Sequence, residues 1–389
     1  MGEITHAADW YTKAVEYDDS NALINREIER FQIRNNLTPP DRKYLLHYFP
    51  NTTNIGDSGS AAGIRALFHS LMDCFFFCTL SCRTDTLAQL KALPLSVSGI
   101  VIGGGGLYFK QPLASGWYFP LSSTELEELS LPTVTYAIGF NSEYSDNEVW
   151  QLDNTFLKHV ADFQRYISLK SARDLWTINI LEEYGNRDIS LVPCPSAFLE
   201  PLSWYKPNIP ASKNIIGLSI TCRSCREGLH SGLITAFTDF AGWLLHHDFF
   251  PLFILHDSAD DLPLAEHITA KGFTCIIPHT AREAITIYDS CYGAIGMRGH
   301  SLIFAAGRCV PFIGVSYNTK VDAFMETINL REYCLNQNDV TEKIVLINAF
   351  EKLLVRRDAI ATHLKKKREL SLNYNRTFCK KAVEIFLKE

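Results

Sequence analysis

The sequence predicts an α/β protein of two domains, each built on a mostly parallel sheet with helices on both faces. Three observations predict it: short apolar strands alternate with helical stretches, a proline-rich break interrupts the pattern, and the alternation then restarts. Short apolar runs separated by helix-length segments are how buried parallel strands read. At 389 residues the chain is also longer than one hydrophobic core commonly serves.

Residues 1–41 read as a helical prefix. "AVEYDDSNALINREIERFQIRNN" is charged, sets Ile24, Ile28 and Phe31 at helical spacing, and stops at Pro39 and Pro40. The first domain, 42–200, opens with a strand at "KYLLHYF" (43–49), then a turn and helix in "NIGDSGSAAGIRALFHSLM". Within "LMDCFFFCTLSC" (71–82), Cys74, Cys78 and Cys82 recur at the spacing of a buried helix face. "SGIVIGGGGLYF" (98–109) reads as a strand running into a glycine loop. "PTVTYAIGF" (132–140), "RYISLK" (165–170) and "ISLVPCP" (189–195) are further strands, with helical segments near 147–160 and 174–184. Pro201, Pro207 and Pro210 make 201–212 an interdomain linker.

The second domain, 213–335, places strands at 215–220, 250–256, 273–278, 292–296 and 310–316, with helices between them. Asp339 and Glu342 have capping-box spacing and open a helical tail over 336–389. The two halves are Rossmann-like domains facing one another, a GT-B-like arrangement. Open parallel sheets bind ligands beyond the carboxyl ends of their strands, so the active site falls in the interdomain cleft.

Composition narrows the function. The net charge of −6 supplies no basic field for nucleic acid. The N-terminal stretch is polar and acidic from Glu3 and does not read as a signal peptide. The longest apolar run is interrupted by Asp73 and is too short to span a bilayer. A soluble cytoplasmic protein is expected. Its 11 cysteines are scattered and odd in number, which suits reduced thiols rather than a disulfide framework. Cys222-x-x-Cys225 has no second pair to complete a zinc site, so no metal and no cofactor are expected. Arg356, Arg357, Lys365, Lys366, Lys367, Arg368, Arg376, Lys380 and Lys381 make the tail basic. It reads either as a solvated helix face or as a peripheral contact with the anionic inner face of a membrane. The oligomeric state is not legible.

Three loops follow strands where ligands are expected. Asn54, Gly56 and Asp57 open a helix, a position that favours anions or simply caps the helix. Gly103–Gly106 follow "IVI", and four consecutive glycines admit close approach to the backbone. They match neither a P-loop nor a dinucleotide fingerprint. "GMRGHSLIFAAGRCVPFIGVSYNTK" puts Arg298 and His300 at a strand exit and Lys320 beyond the next strand. These groups either converge on a small polyanion carrying a carboxylate and a phosphate, or are a satisfied histidine with two surface cations.

Together these blocks resemble the polysaccharide pyruvyl transferases. The likeness is carried by "NIGDSGSAAGI", "GIVIGGGGLYF", "YAIGF", Arg173-Asp174 with Thr177, Leu181 and Gly185, and "RGHSLIFAAGRCVPFIGVSYNTK" with Pro311 and Tyr317. It covers roughly residues 42–335. One departure stands out: where the family usually reads Asp-Pro-Ala, this chain has Cys194-Pro195-Ser196.

The resemblance implies transfer of a pyruvyl group from phosphoenolpyruvate to two sugar hydroxyls, forming a ketal in polysaccharide or exopolysaccharide biosynthesis. It implies His300, Arg298 and Lys320 as catalytic residues, and Arg173, Gly299 and Ser301 as donor-binding. Asn54, Gly56, Asp57, Gly104, Gly105 and Asp257 are the acceptor candidates, with Trp117 and Tyr118 as stacking platforms or packing. The partners would be phosphoenolpyruvate and a saccharide acceptor, lipid-linked or free. A GT-B glycosyltransferase using a nucleotide-activated sugar is the nearest rival, and a non-catalytic sugar-binding protein a more distant one.

Overall fold

The computed structural model describes residues 43–50, 53–72, 74–83, 85–91, 97–141, 153–210, 214–221 and 229–388. The expected prefix over 1–41 and the Cys222/Cys225 pair lie outside them.

The first sheet holds β1 (Lys43–Phe49), β2 (Phe75–Ser81), β3 (Val97–Tyr108), β4 (Thr133–Phe140), β5 (Leu169–Ala172) and β6 (Ile189–Leu191), ordered β2-β1-β3-β4-β5-β6. The second holds β7 (Asn214–Ser219), β8 (Phe249–Ile254), β9 (Thr274–Ile276), β10 (Gly293–Gly296), β11 (Phe312–Ser316) and β12 (Cys334–Asn336), ordered β12-β11-β10-β7-β8-β9. Every strand pair is parallel. The first sheet is flanked by α1 (Ile55–Leu71), α2 (Leu87–Lys91), α3 (Ser123–Leu129), α4 (Asn154–Phe163) and α5 (Leu175–Glu183). The second carries α6 (Leu229–His246), α7 (Leu262–Ala270), α8 (Ala281–Asp289), α9 (Gly299–Gly307) and α10 (Thr319–Thr327), and the chain ends in α11 (Lys343–Val355) and α12 (Arg357–Leu387).

Strand order reverses between β1 and β3 in one sheet and between β7 and β10 in the other. Crevices at such switch points are where open α/β sheets hold ligands. The exits of β1 and β10 are two of the three stretches singled out above, and the third, Gly103–Gly106, lies in the carboxyl-end half of β3, so topology alone brings all three to the two crevices.

Four local expectations are corrected. Residues 75–81 form β2, not a helix: "FFFCTLS" is β-branched and aromatic, and sheet pairing with β1 overrides the four-residue cysteine period. The glycines are not a loop. β3 runs through them to Tyr108, pairing with β4 after its ladder to β1 has ended at Ile102. The strand expected at 165–170 starts later, at Leu169, because Gln164–Tyr166 closes α4 with a 3-10 turn. Glu342 caps α11 by position only, with no side-chain hydrogen bond, and Asp339 ends a 3-10 turn.

The C-terminal helix does more than trail. α12 leaves the second domain and returns to the first sheet, burying Phe378, Cys379, Ala382, Val383 and Phe386 against Leu45, Phe68, Phe75 and Tyr136. Asn375 accepts from Tyr136 Oη at 3.3 Å and donates to Pro193 O at 2.9 Å. Its basic residues 365, 366, 376, 380 and 381 are exposed, so this helix buries one stripe and solvates the other.

The 3-10 turn Pro195–Phe198 is wedged between two helices at glycines. A Cβ on Gly63 of α1 would lie 2.5 Å from Pro195 O, and one on Gly307 of α9 2.3 Å from Ala197 O. Both obstacles are backbone and cannot swing away. Gly307→Ala is therefore expected to destabilise by about 1–3 kcal/mol through overpacking. Gly242→Ala, in α6 with nothing within 4 Å of the new methyl, should stabilise by roughly 0.5–1 kcal/mol. Urea midpoints of the two variants check this contrast.

Candidate active site

The site is assembled where α1 meets the second domain. Asn54 caps α1, its side chain accepting from Gly56 N at 2.9 Å. The same stretch docks across the cleft: Ile55 N donates to His256 O at 3.0 Å and Thr53 Oγ1 to Asp257 Oδ1 at 2.6 Å. Ile55 and Ala62 belong to the hydrophobic core of the second domain.

His300, in the first turn of α9, lies on this helix. A Cβ on Gly56 would fall 2.0 Å from His300 Nδ1, so only glycine lets the ring sit there. His300 Nε2 is 3.1 Å from Ser60 Oγ and 3.8 Å from Cys194 Sγ. Ser60 Oγ also contacts Cys194 Sγ at 3.2 Å, and Cys194 Sγ contacts Ser196 Oγ at 3.1 Å. The thiol at the departing position is thus part of the His300 environment.

The glycine strand is the floor. Ser60 Cβ lies 2.9 Å from where Gly104 would carry its own, and Asp57 Oδ1 3.6 Å from the same point on Gly105. Gly105 has φ 107°, a left-handed conformation open to glycine. Gly139 and Gly106 clear space for Arg173, whose Nε would be 2.4 Å from a Cβ on Gly139. A buried relay holds this floor from behind. His47 Nε2 donates to Gly103 O at 2.7 Å and its Nδ1 accepts from Arg65 Nε at 3.2 Å, which requires neutral His47.

The cleft is lined by both domains. Asn54, Asp57, Arg83, Phe109, Tyr118, Asn141, Arg173 and Cys194 come from the first, and Arg298, Gly299, His300, Tyr317 and Lys320 from the second. Arg173 is held by Asp174 Oδ2 at 3.4 Å and Phe140 O at 3.3 Å. Lys320 sits with its ammonium 5.6 Å from the Tyr317 ring centre. The cations do converge.

Two donor-side expectations change in detail. Arg298 lines the cleft but is not a free fork: it is buried and paired with Asp261 at 2.5 Å. Burial opposes its charge, yet Asp261, with Tyr317 and Asp257, outweighs burial and raises its pKa. Ser301 is buried with its hydroxyl donating to Arg298 O at 2.6 Å, so it fixes the loop instead of facing the cleft.

On the acceptor side Asp257 is also displaced from its expected role. It is buried outside the cleft lining and holds Thr53 and the Ala259 and Asp260 N–H groups. Burial alone would raise its pKa, but those bonds, with Arg298, bring it below the usual carboxylate value. Gly56, Gly104 and Gly105 act by making room for His300, Ser60 and Asp57. Trp117 is fully buried and stacks on Phe119, so it is core; Tyr118 does reach the cleft, against Phe109 and Arg83.

Sequence reading missed Ser60, Asp261, His256, Arg83 and Phe109. Ser60 was visible inside "GDSGS" but reads as a helix residue. Asp261, at the end of "HDSADD", has no motif; only folding shows it anchoring Arg298 and the His256 and Asp257 N–H groups.

Electrostatics set His300 apart. Desolvation first, then Arg173, Lys320 and Arg298, push its pKa down to about 3. Unliganded, it is neutral at physiological pH. Among the described residues, no group of at least 3 His, Cys, Asp or Glu side chains is arranged to hold a metal ion.

A site shared by two such sheets has a GT-B-like architecture. The chain belongs to the polysaccharide pyruvyl transferase family, whose model matches residues 11–319. No curated protein sequence matches the chain. Solved structures show the same fold at low identity. S. aureus MnaA in a co-structure with UDP has 12% identity and a TM-score of 0.56, covering 83% of this chain and 90% of that one. UDP-GlcNAc 2-epimerase from Neisseria meningitidis bound to UDP-GlcNAc has 9% identity and a TM-score of 0.54, covering 82% and 94%. Medicago truncatula UGT71G1 complexed with UDP-glucose has 11% identity and a TM-score of 0.55, covering 89% and 98%.

Gly56→Ala forces the His300 ring away from α1. A displacement near one ångström commonly costs about 100-fold in rate, so steady-state activity should fall by about that factor while circular dichroism stays native. His47, His256 and His300 all have lowered folded pKa values, with burial the first cause in each. The unfolded chain therefore binds more protons below pH ~6.5, and stability is full above that pH and lost as pH falls. Each histidine contributes a slope of up to about 1.4 kcal/mol per pH unit. Chemical denaturation between pH 5 and 8 measures it.

Proposed function

We propose that this protein transfers a pyruvyl group from phosphoenolpyruvate to the hydroxyls of a saccharide, forming a ketal. The observation that carries the reading is the convergence of Arg173, Arg298 and Lys320, from both domains, on one neutral histidine. The donor's carboxylate and phosphate match these cations and the N–H groups at the start of α9.

The chemistry follows from that placement. The enol phosphate of the donor must gain a proton at its methylene carbon, which makes the adjacent carbon electrophilic. A sugar hydroxyl adds there and loses its proton. Phosphate then leaves, and a second hydroxyl closes the ketal. His300 is the group placed to exchange these protons, and Lys320 and Arg173 stabilise the phosphate charge as it departs. Asn54 and Asp57 face the same cleft from α1, where they would bind the acceptor hydroxyls. Phe109 and Tyr118 offer its ring an apolar platform. Arg298 acts from a fixed position, since Asp261 holds its guanidinium before any substrate arrives.

Donor binding should also change His300. The donor's negative charges cancel the Coulombic part of its pKa depression, leaving only desolvation. Protonation on binding then becomes easier, so phosphoenolpyruvate should bind with proton uptake that grows as pH falls from 8 to 6.

Calorimetric titration of phosphoenolpyruvate, repeated in buffers of different ionisation enthalpy, tests both points. Lys320→Ala is the informative variant, because Arg298→Ala would leave Asp261 buried without its partner. Losing one charge-assisted contact should weaken binding roughly 10- to 100-fold. Binding of a nucleotide-activated sugar with none of phosphoenolpyruvate would overturn the reading in favour of glycosyl transfer.

A further inference from the structure

The contacts around Ser60 admit one full proton assignment, and it names the working atom of His300. Ser60 is completely buried, and its hydroxyl touches three groups: Gly56 O at 3.0 Å, His300 Nε2 at 3.1 Å and Cys194 Sγ at 3.2 Å. A serine hydroxyl has one proton to donate and two lone pairs to accept with. Gly56 O can only accept. If all three contacts are hydrogen bonds, the single Ser60 proton goes to Gly56 O. His300 Nε2–H and Cys194 S–H then both donate to Ser60 Oγ, and Ser196, 3.1 Å from Cys194 Sγ, donates to that sulfur.

We propose that Ser60, seconded by Cys194, holds His300 as the Nε2–H tautomer, so that Nδ1 is the atom that takes a proton and gives it back during the reaction. Ser60 is a positioning residue in this scheme, acting on substrate only through His300. Nδ1 lies beside Gly56, at the entry of α1, and His300 makes no hydrogen bond through it among the described residues. His300 lines the same cleft as Asn54 and Asp57, and Nδ1 is the ring nitrogen that its protein contacts leave able to accept a proton. A carboxylate at position 194 would reverse the logic: it could only accept, it would draw a proton onto the ring, and it would favour the imidazolium. A thiol donates and leaves the ring neutral. Cys194 thus fits a histidine that starts the cycle uncharged.

The catalytic consequence rests on the pyruvyl transfer reading; the tautomer does not. Long-range 1H–15N correlation spectra of protein labelled at histidine nitrogen report which ring nitrogen carries the proton, and His300→Gln assigns the signal by difference. At pH 7.5 the wild type should show a neutral ring protonated at Nε2. Cys194→Ser keeps a donor and should preserve that pattern. Ser60→Ala removes the acceptor and should shift the ring towards a tautomer mixture. With pyruvyl transfer as the assay, Ser60→Ala should lose about 10- to 100-fold in kcat, with KM for phosphoenolpyruvate changed by less than about threefold. A wild-type ring protonated at Nδ1, an imidazolium at pH 7.5, or a tautomer indifferent to Ser60→Ala would each overturn the proposal. Because the spectra need no donor, failure of the tautomer and failure of the reaction are read separately.

Discussion

The close seating of α1 against the second domain is the constraint on which the rest of the structure depends. One helix belongs to two cores at once. Its first turn bonds to the exit of β8, its middle rests on the glycine strand, and Gly63 meets the backbone of the 3-10 turn that follows Cys194. The seating needs glycine at 56, 104 and 63, because the obstacles are the His300 ring, the Ser60 Cβ and the Pro195 carbonyl. Remove the clearance at Gly56 and His300 cannot occupy its place; remove it at Gly63 or Gly307 and the crossing between domains is pushed apart. Interiors are packed too tightly to absorb such shifts elsewhere.

That seating also explains the electrostatics. Three cationic side chains around a histidine would repel one another and bind water if the cleft were open. Here the carboxylates of Asp261 and Asp174 anchor two of them. The histidine is desolvated by α1 and left neutral. The cleft thus sets Arg173, Arg298 and Lys320 around an uncharged histidine. α12 supports this from the far side, tying Tyr136 and Pro193 together beneath the floor.

Much of this was legible in the chain. The alternation of strands and helices set the two sheets, and the three stretches at the ends of β1, β3 and β10 were recognisable because glycine runs and clustered cations are local signals. What failed locally failed for tertiary reasons. The period of Cys74, Cys78 and Cys82 fits a helix, but the segment had a strand to pair with. Gly103–Gly106 look like a loop in isolation, yet they extend β3 because β4 supplies a ladder and α1 packs on the bare backbone. Asp257 sits at the expected sheet edge, but it was captured by Thr53 from the other domain.

By itself, then, the sequence determined the class of fold, the family and the residue types at the cleft, since these rest on patterns within short windows. Only the tertiary structure decided which charges are free and which are held, which hydroxyl touches His300, and why position 194 matters. The deciding contacts around His300 join residues more than a hundred positions apart, as Ser60 with Cys194 and His300, and even Arg298 and Asp261 are 37 apart. Hydrogen bonding and desolvation act over a few ångströms in space, and no window of sequence contains that distance.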